Sequence, residues 1–217
     1  MPSSKIHSTS LDNLMLVTGG ARSGKSSLAE NLAGSFVENT DGGGKVAYLA
    51  TMPRLESDAE LAERIKRHQD RRPANWQTIE APLSIHEQIE KLPGEIRVCI
   101  IDCLSVYVSN LIFDNDRDIE AIVQTEIDFS QIEKKLEYNL DLLLAGINSK
   151  RNVTFIVVTN EVGWSVVPEN RLARQYRDLL GTANQRVSRE ADTVYLCVSG
   201  IELKIKDNGR AILSERS

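Results

Sequence analysis

The run Gly19-Gly20-Ala21-Arg22-Ser23-Gly24-Lys25-Ser26 constrains this chain more than any other feature. It follows the apolar segment Leu14-Met15-Leu16-Val17-Thr18, and apolar residues then recur at Leu28, Leu32 and Phe36. A short apolar run, a glycine-rich loop and helical spacing together read as strand, loop and helix. The loop matches the Walker A pattern G-x-x-x-x-G-K-[ST] at every fixed position. Its glycines let the backbone wrap a phosphate without side-chain clash. Loop amides and the N-terminus of the following helix present partial positive charge to phosphates. On this reading Gly19, Gly20, Ala21, Arg22, Ser23 and Gly24 cradle a nucleotide, Lys25 reaches its β- and γ-phosphates, and the Ser26 hydroxyl ligates Mg2+.

The rest of the chain alternates in the same way. Buried strands are expected at Val46–Ala50, Trp76–Ile79, Arg97–Asp102, Val153–Thr159, Thr193–Val198 and Ile201–Lys206. Helices are expected at Lys25–Phe36, Glu56–Gln69 (stopped by Pro73), Ser84–Leu92 and Leu104–Phe113. A turn is read at Asp41-Gly42-Gly43-Gly44 and a charged break at 114–118. A long helical pattern then runs to about Ile147, and a last helix spans Glu169–Ala191 with Leu172, Tyr176, Leu179, Ala183 and Val187 on one stripe. Strands apolar on both faces, alternating with helices, predict an α/β fold with a mostly parallel sheet flanked by helices. With 217 residues and neither repeat nor linker, the chain reads as a disordered polar tail, 1–12, and a single nucleotide-binding catalytic domain, 13–217.

Composition narrows the partners. A formal net charge of −5 counts against nucleic acid as the main partner, and no apolar run reaches the ~20 residues of a membrane span. Residues 1–12 lack the apolar centre of a signal peptide, which leaves His7 without significance. Three cysteines, Cys99, Cys103 and Cys197, are too sparse for a disulfide framework and too isolated for a zinc site, so a reducing, cytoplasmic setting is expected.

Walker A loops serve kinases, switches and motors alike, so further residues must choose. Asp102 ends an apolar strand in the manner of a Walker B acid, positioned to hold the Mg2+ shell. The signatures of switch GTPases are missing: Asp102 is followed by Cys103-Leu104-Ser105, and Asn160 by Glu161-Val162-Gly163. The segment Arg64-Ile65-Lys66-Arg67-His68-Gln69-Asp70-Arg71-Arg72-Pro73 places one histidine among basic residues. His68 shares a helix face with Ile65 and Leu61, which fits a histidine at the edge of the core. It also fits a nucleophile, since a neutral imidazole can attack phosphorus and nearby arginines disfavour its protonated form.

Taken jointly, the motifs resemble those of the adenosylcobinamide kinase/adenosylcobinamide-phosphate guanylyltransferase family. The matching stretches are 16–26, Tyr48-Leu49-Ala50-Thr51, the arginine-rich segment with His68, Asp102-Cys103-Leu104-Ser105, and Val108-Ser109-Asn110-Leu111. A longer one runs from Thr159-Asn160-Glu161-Val162-Gly163 through Pro168-Glu169-Asn170-Arg171 to Asn184-Gln185 and Ala191-Asp192. The resemblance extends from about residue 14 to 206. It implies a RecA-like P-loop fold and an enzyme of cobalamin assembly. Such an enzyme phosphorylates the aminopropanol hydroxyl of adenosylcobinamide with ATP or GTP, then moves GMP from GTP onto adenosylcobinamide phosphate through a GMP–histidine intermediate. The resemblance makes His68 that histidine. It carries nucleotide contacts over to Gly19–Ser26, Ala50, Thr51, Met52, Gln69, Asp70, Arg71, Arg72, Glu80 and Asp102, and it implies a homotrimer. The chain departs from the family pattern at Arg67, where a second histidine is frequent, at Met52, Arg71 and Ser165, and throughout 114–150.

Several residues keep two readings. Glu80 suits a ribose hydroxyl or Mg2+, or a solvated strand end. Glu161 could polarise an acceptor hydroxyl, cap a helix or form an ion pair. Arg174 and Arg177 fit phosphate binding or surface pairing. Trp164 is expected in the core, with packing on a corrin ring as its other reading, and His86 is expected on the surface. Two rival functions share the loop: a small-molecule kinase without nucleotidyl transfer, and a nucleotide-dependent switch or binding module.

Overall fold

The computed structural model describes residues 13–39, 44–53, 72–113 and 128–212. The expected tail 1–12, most of the turn 41–44, the helix Glu56–Gln69 and the break 114–118 lie outside the described residues, as do His68, Gln69, Asp70 and Arg71.

The chain forms β1 (Leu14–Gly19), α1 (Lys25–Glu38), β2 (Lys45–Ala50), β3 (Gln77–Glu80), α2 (Ile85–Glu90), β4 (Ile96–Asp102) and α3 (Leu104–Phe113). After the undescribed stretch come α4 (Phe129–Ser149), β5 (Thr154–Val158), α5 (Arg171–Glu190), β6 (Thr193–Val198), β7 (Ile201–Asp207) and β8 (Arg210–Ala211). All eight strands join one sheet in the order β3-β2-β4-β5-β1-β6-β7-β8. The strands from β3 to β6 are parallel, and β7 and β8 add antiparallel hairpins at one end. The expected α/β architecture is therefore present. β5 lies between β1, which carries the Walker A loop, and β4, which ends in Asp102.

Period-two alternation sorts the side chains of the parallel strands onto two covered faces. Met15, Val17, Tyr48, Val98, Ile100 and Ile156 face α1 with its Ala29 and Ala33. Leu14, Leu16, Leu49, Cys99, Ile101 and Phe155 face the other helices, through Ile85, Tyr107, Leu140 and Leu180. Each such aliphatic side chain, shielded on both sides of the sheet, contributes about 1.5–3 kcal/mol by leaving water.

Element ends follow local chemistry. The last helix begins two residues later than Glu169, because Asn170 is its cap and accepts from the Ala173 N–H at 3.1 Å. The long helix begins at Phe129 behind Asp128, whose carboxylate accepts from Ser130 N and Gln131 N. β3 is an edge strand and largely exposed. The turns at Ser199-Gly200 and Asn208-Gly209 have positive φ at both positions, the type I′ geometry that suits the twist of a hairpin.

Candidate active site

Parallel register aligns the ends of five strands. Glu80 pairs with Ala50, Ala50 with Asp102, Asp102 with Val158, and Val158 with Val17. The Walker A loop, Asp102, Asn160 and Glu161 therefore leave the sheet side by side at its carboxyl edge, where open α/β sheets place their ligands.

Close packing shapes the loop. Gly19 has φ 150°, and a Cβ there would lie 2.2 Å from the Cys197 carbonyl oxygen and 2.9 Å from Ser23 Oγ. Only glycine fits between β1 and β6. Gly24, with φ 98°, turns the chain into α1, whose free amides begin at Lys25. Gly200 of the β6–β7 turn donates its N–H to the Ser23 carbonyl at 3.1 Å, bracing the loop from outside. Lys25 is 8% exposed. Its Nζ donates to the Gly20 carbonyl at 2.5 Å and to Ser23 Oγ at 3.4 Å. Burial pulls the Lys25 ammonium below the usual lysine range, against the opposing pull of Cys103 and Asp102.

Asp102 is held by a neighbour strand. Tyr48 Oη donates to Asp102 Oδ2. Burial, and then the Asp102 charge, raise the Tyr48 hydroxyl far above its ordinary range, so it remains a donor. The Arg72 guanidinium lies 3.3 Å above the Tyr48 ring, donates to Thr78 Oγ1 at 3.3 Å, and stands 4.0 Å from Glu30. Thr51 locks the next turn: it accepts from Cys103 N at 2.8 Å and donates to Cys103 O at 2.9 Å. Asn110 of α3 donates to the Thr51 and Pro82 carbonyls at 2.8 and 2.9 Å. Burial, then the charge of Asp102, push the Cys103 thiol up, which leaves it a poor nucleophile.

A second polar group sits between β1 and β5. Glu161 N donates to the Gly19 carbonyl at 3.0 Å. Glu161 Oε1 accepts from Thr18 Oγ1 at 2.8 Å and from Asn184 Nδ2 at 3.3 Å. Asn184, buried on α5, also donates to the Asn160 carbonyl at 3.0 Å and accepts from Thr159 Oγ1 at 2.7 Å. Asn160 Nδ2 reaches Ser105 Oγ at 2.7 Å, which ties β5 to the start of α3 beside Asp102.

Comparison with known proteins decides the family. The model of the family described as cobinamide kinase / cobinamide phosphate guanyltransferase matches residues 15–205. The chain belongs to that family. It is 39% identical over 197 residues to the bifunctional adenosylcobalamin biosynthesis protein CobU of Salmonella typhimurium, covering 89% of this chain and 99% of the relative. Identity to the protein of the same name from Escherichia coli is 38% over 193 residues, with the same coverage. The flagellar accessory protein FlaH of Methanocaldococcus jannaschii is a looser likeness among solved structures. It has 14% identity and a TM-score of 0.47 over 94% of this chain and 84% of that one.

The family residues expected from sequence fall as follows. Gly19 to Ser26, Ala50, Thr51, Met52, Glu80 and Asp102 gather at the one edge. Thr51 is fully buried and its hydroxyl is spent on Cys103. Glu80 ends its strand exposed. Arg72 lies against Tyr48. Lone hard oxygens at Ser26 and Asp102 suit Mg2+, which takes one or two protein ligands and completes its shell with phosphate and water. Tyr48 offers Asp102 one donor and engages only Oδ2, so the residues present fit that ion.

One reading changes and two narrow. Trp164 is 70% exposed and is not a core residue, because the loop after β5 carries it away from the helices. Arg174 donates to the Pro168 and Glu169 carbonyls and ties α5 to its entry loop, while Arg177 pairs with its neighbour Asp178 at 3.4 Å, so surface pairing is the reading of Arg177 that the structure shows. Glu161 neither caps a helix nor forms an ion pair among the described residues. Sequence reasoning gave no role to Tyr48, Thr18 or Asn184. The available signals were a tyrosine and a threonine within otherwise apolar strands.

Proposed function

We propose that this chain phosphorylates adenosylcobinamide and then converts the product to adenosylcobinamide-GDP, releasing pyrophosphate. The observation that carries the reading is the family match across 15–205, with a complete Walker A loop and Asp102 at one sheet edge.

In the kinase step the loop amides and Lys25 hold the triphosphate of ATP or GTP, and the aminopropanol oxygen attacks the γ-phosphorus. In the transfer step His68 attacks the α-phosphorus of GTP; the new N–P bond forms as the bond to pyrophosphate breaks. An oxygen of adenosylcobinamide phosphate then displaces the histidine and takes GMP. Mg2+, held through Ser26 and Asp102, would neutralise charge on the bridging phosphates. Gln69, Asp70, Arg71 and Arg72 flank the nucleophile in sequence and complete the proposed nucleotide contacts with Ala50, Thr51, Met52 and Glu80. The reading extends to a cytoplasmic homotrimer built from a single catalytic domain. Among the described residues no helix is long and apolar enough to cross a membrane.

The test is intact mass after incubation with GTP and Mg2+, comparing the natural chain with His68→Asn. A GMP-sized adduct on the natural chain alone supports the reading. If neither protein gains mass while GTP binding is confirmed, the chain is a kinase without nucleotidyl transfer. Nucleotide binding with no turnover of any cobinamide acceptor makes it a switch or binding module.

A further inference from the structure

We infer that Glu161 is the proton acceptor of the kinase step and takes no part in guanylyl transfer. This rests on the two-step reading above. Glu161 stands at the carboxyl end of β5, between the Walker A strand and the strand of Asp102, with its N–H on the first residue of the loop. Its seat is built rather than incidental. Thr18 comes from β1 and Asn184 from α5, and both donate to the same oxygen, Oε1. Asn184 is itself fixed by Thr159 and the Asn160 carbonyl, so three elements set one carboxylate. Among the described residues no donor reaches Oε2, which is left to accept a proton. A carboxylate with one oxygen clamped and one open, beside a phosphate cradle, is arranged as a base and not as an ion-pair partner.

The chemistry of the two acceptors makes the assignment specific. The first acceptor is an alcohol. Its oxygen must lose a proton as the O–P bond forms and the γ-phosphorus separates from the nucleoside diphosphate, which leaves with the bond's electron pair. The proton passes to Glu161 Oε2. The second acceptor is a phosphate monoester, already ionised near neutral pH, whose oxygen attacks without surrendering a proton. A base is therefore required in one half-reaction only. Thr18 and Asn184 act through Glu161 and are positioning residues.

Glu161→Gln separates the two. Glutamine keeps an oxygen for Thr18 and Asn184 but cannot take the proton. Two rates are measured on the same preparation: γ-phosphoryl transfer to cobinamide, and GMP transfer from GTP to preformed cobinamide phosphate, with the covalent GMP adduct followed by intact mass. We expect the first to fall about 100-fold or more, and the second to stay within about threefold, which also shows that the variant is folded. Thr18→Val should lower the kinase kcat with little change in the nucleotide KM. Kinase turnover retained by Glu161→Gln overturns the inference, and so does an equal loss of both rates, which would mark a structural role. A natural chain that performs neither half-reaction removes the functional reading itself, and this inference with it.

Discussion

Tyr48 and Asp102 sit on neighbouring parallel strands and are joined by a hydrogen bond from the phenol to Asp102 Oδ2. The bond fixes the carboxylate that is proposed to hold Mg2+, and the Arg72 guanidinium stacked on the same ring extends the contact to the end of the segment containing His68. Partners of this kind orient a metal-binding carboxylate without touching the metal. Tyr48→Phe keeps the packing and removes the donor. The Mg2+ concentration for half-maximal turnover should rise about tenfold, and unfolding stability should fall by about 1–2 kcal/mol. A Mg2+ titration with urea denaturation checks both, and an unchanged Mg2+ requirement would show that the phenol only fills space.

Lys25 carries a charge at a cost to the fold. Burial lowers its pKa below the unfolded value of 10.5, so at neutral pH the folded chain must keep a proton that burial disfavours. The sign follows from that shift. The penalty is complete below the folded pKa and disappears as pH rises from there toward 10.5. Lys25→Met should lose turnover by about 100-fold or more, yet unfold at the same temperature or higher at pH 7. That difference in stability should narrow in alkaline buffer, as the natural chain sheds the proton. Thermal melts of both proteins across pH 7 to about 10.5 test this. A variant markedly less stable at pH 7 would show that the contacts of Lys25 with Gly20 and Ser23 outweigh its desolvation.

The loop, the parallel core and the Asp102 strand were legible because each rests on local pattern: a fixed motif, an apolar run, a helical period. Tyr48 and Asn184 were not, and Glu161 was legible only as one of three readings. Glu161 gains its meaning from Thr18, 143 positions away, and Asn184 from Thr159 across the face of α5. No periodicity records such a pairing. Trp164 was misread because an aromatic side chain near a buried strand is usually interior, whereas here it rides an exposed loop. β8 was missed because two residues carry no alternation, although Asn208-Gly209 is a hairpin signal in its own right.

Asp192 shows how a motif residue can serve the fold. Its Oδ2 accepts from the Asn13 and Leu14 N–H groups at 2.9 and 3.1 Å, and its own N–H reaches the Leu14 carbonyl at 2.8 Å. The carboxylate therefore pins the start of β1 to the start of β6, far along β1 from the phosphate loop. Asp192→Ala should cost about 2–3 kcal/mol in urea unfolding, since two donors lose a charged partner. Activity per folded molecule should be unchanged. A loss of kcat without a loss of stability would place Asp192 in the chemistry instead.

Gly19 and Gly20 make a paired test of the loop's geometry. A Cβ at Gly19 would collide with the Cys197 carbonyl, and at φ 150° the backbone is one that side chains rarely adopt. Since the obstruction is backbone, β1 and β6 must separate or the loop must turn differently. A Cβ at Gly20 meets nothing within 4 Å. Gly19→Ala should weaken equilibrium nucleotide binding about tenfold or more and destabilise the chain by about 2 kcal/mol. Gly20→Ala should remain within about 0.5 kcal/mol of the natural chain in stability. Titration with a fluorescent GTP analogue, alongside thermal melts, compares the two. Equal behaviour of the variants would mean that β6 does not confine the loop, and that Gly19 serves only the phosphate.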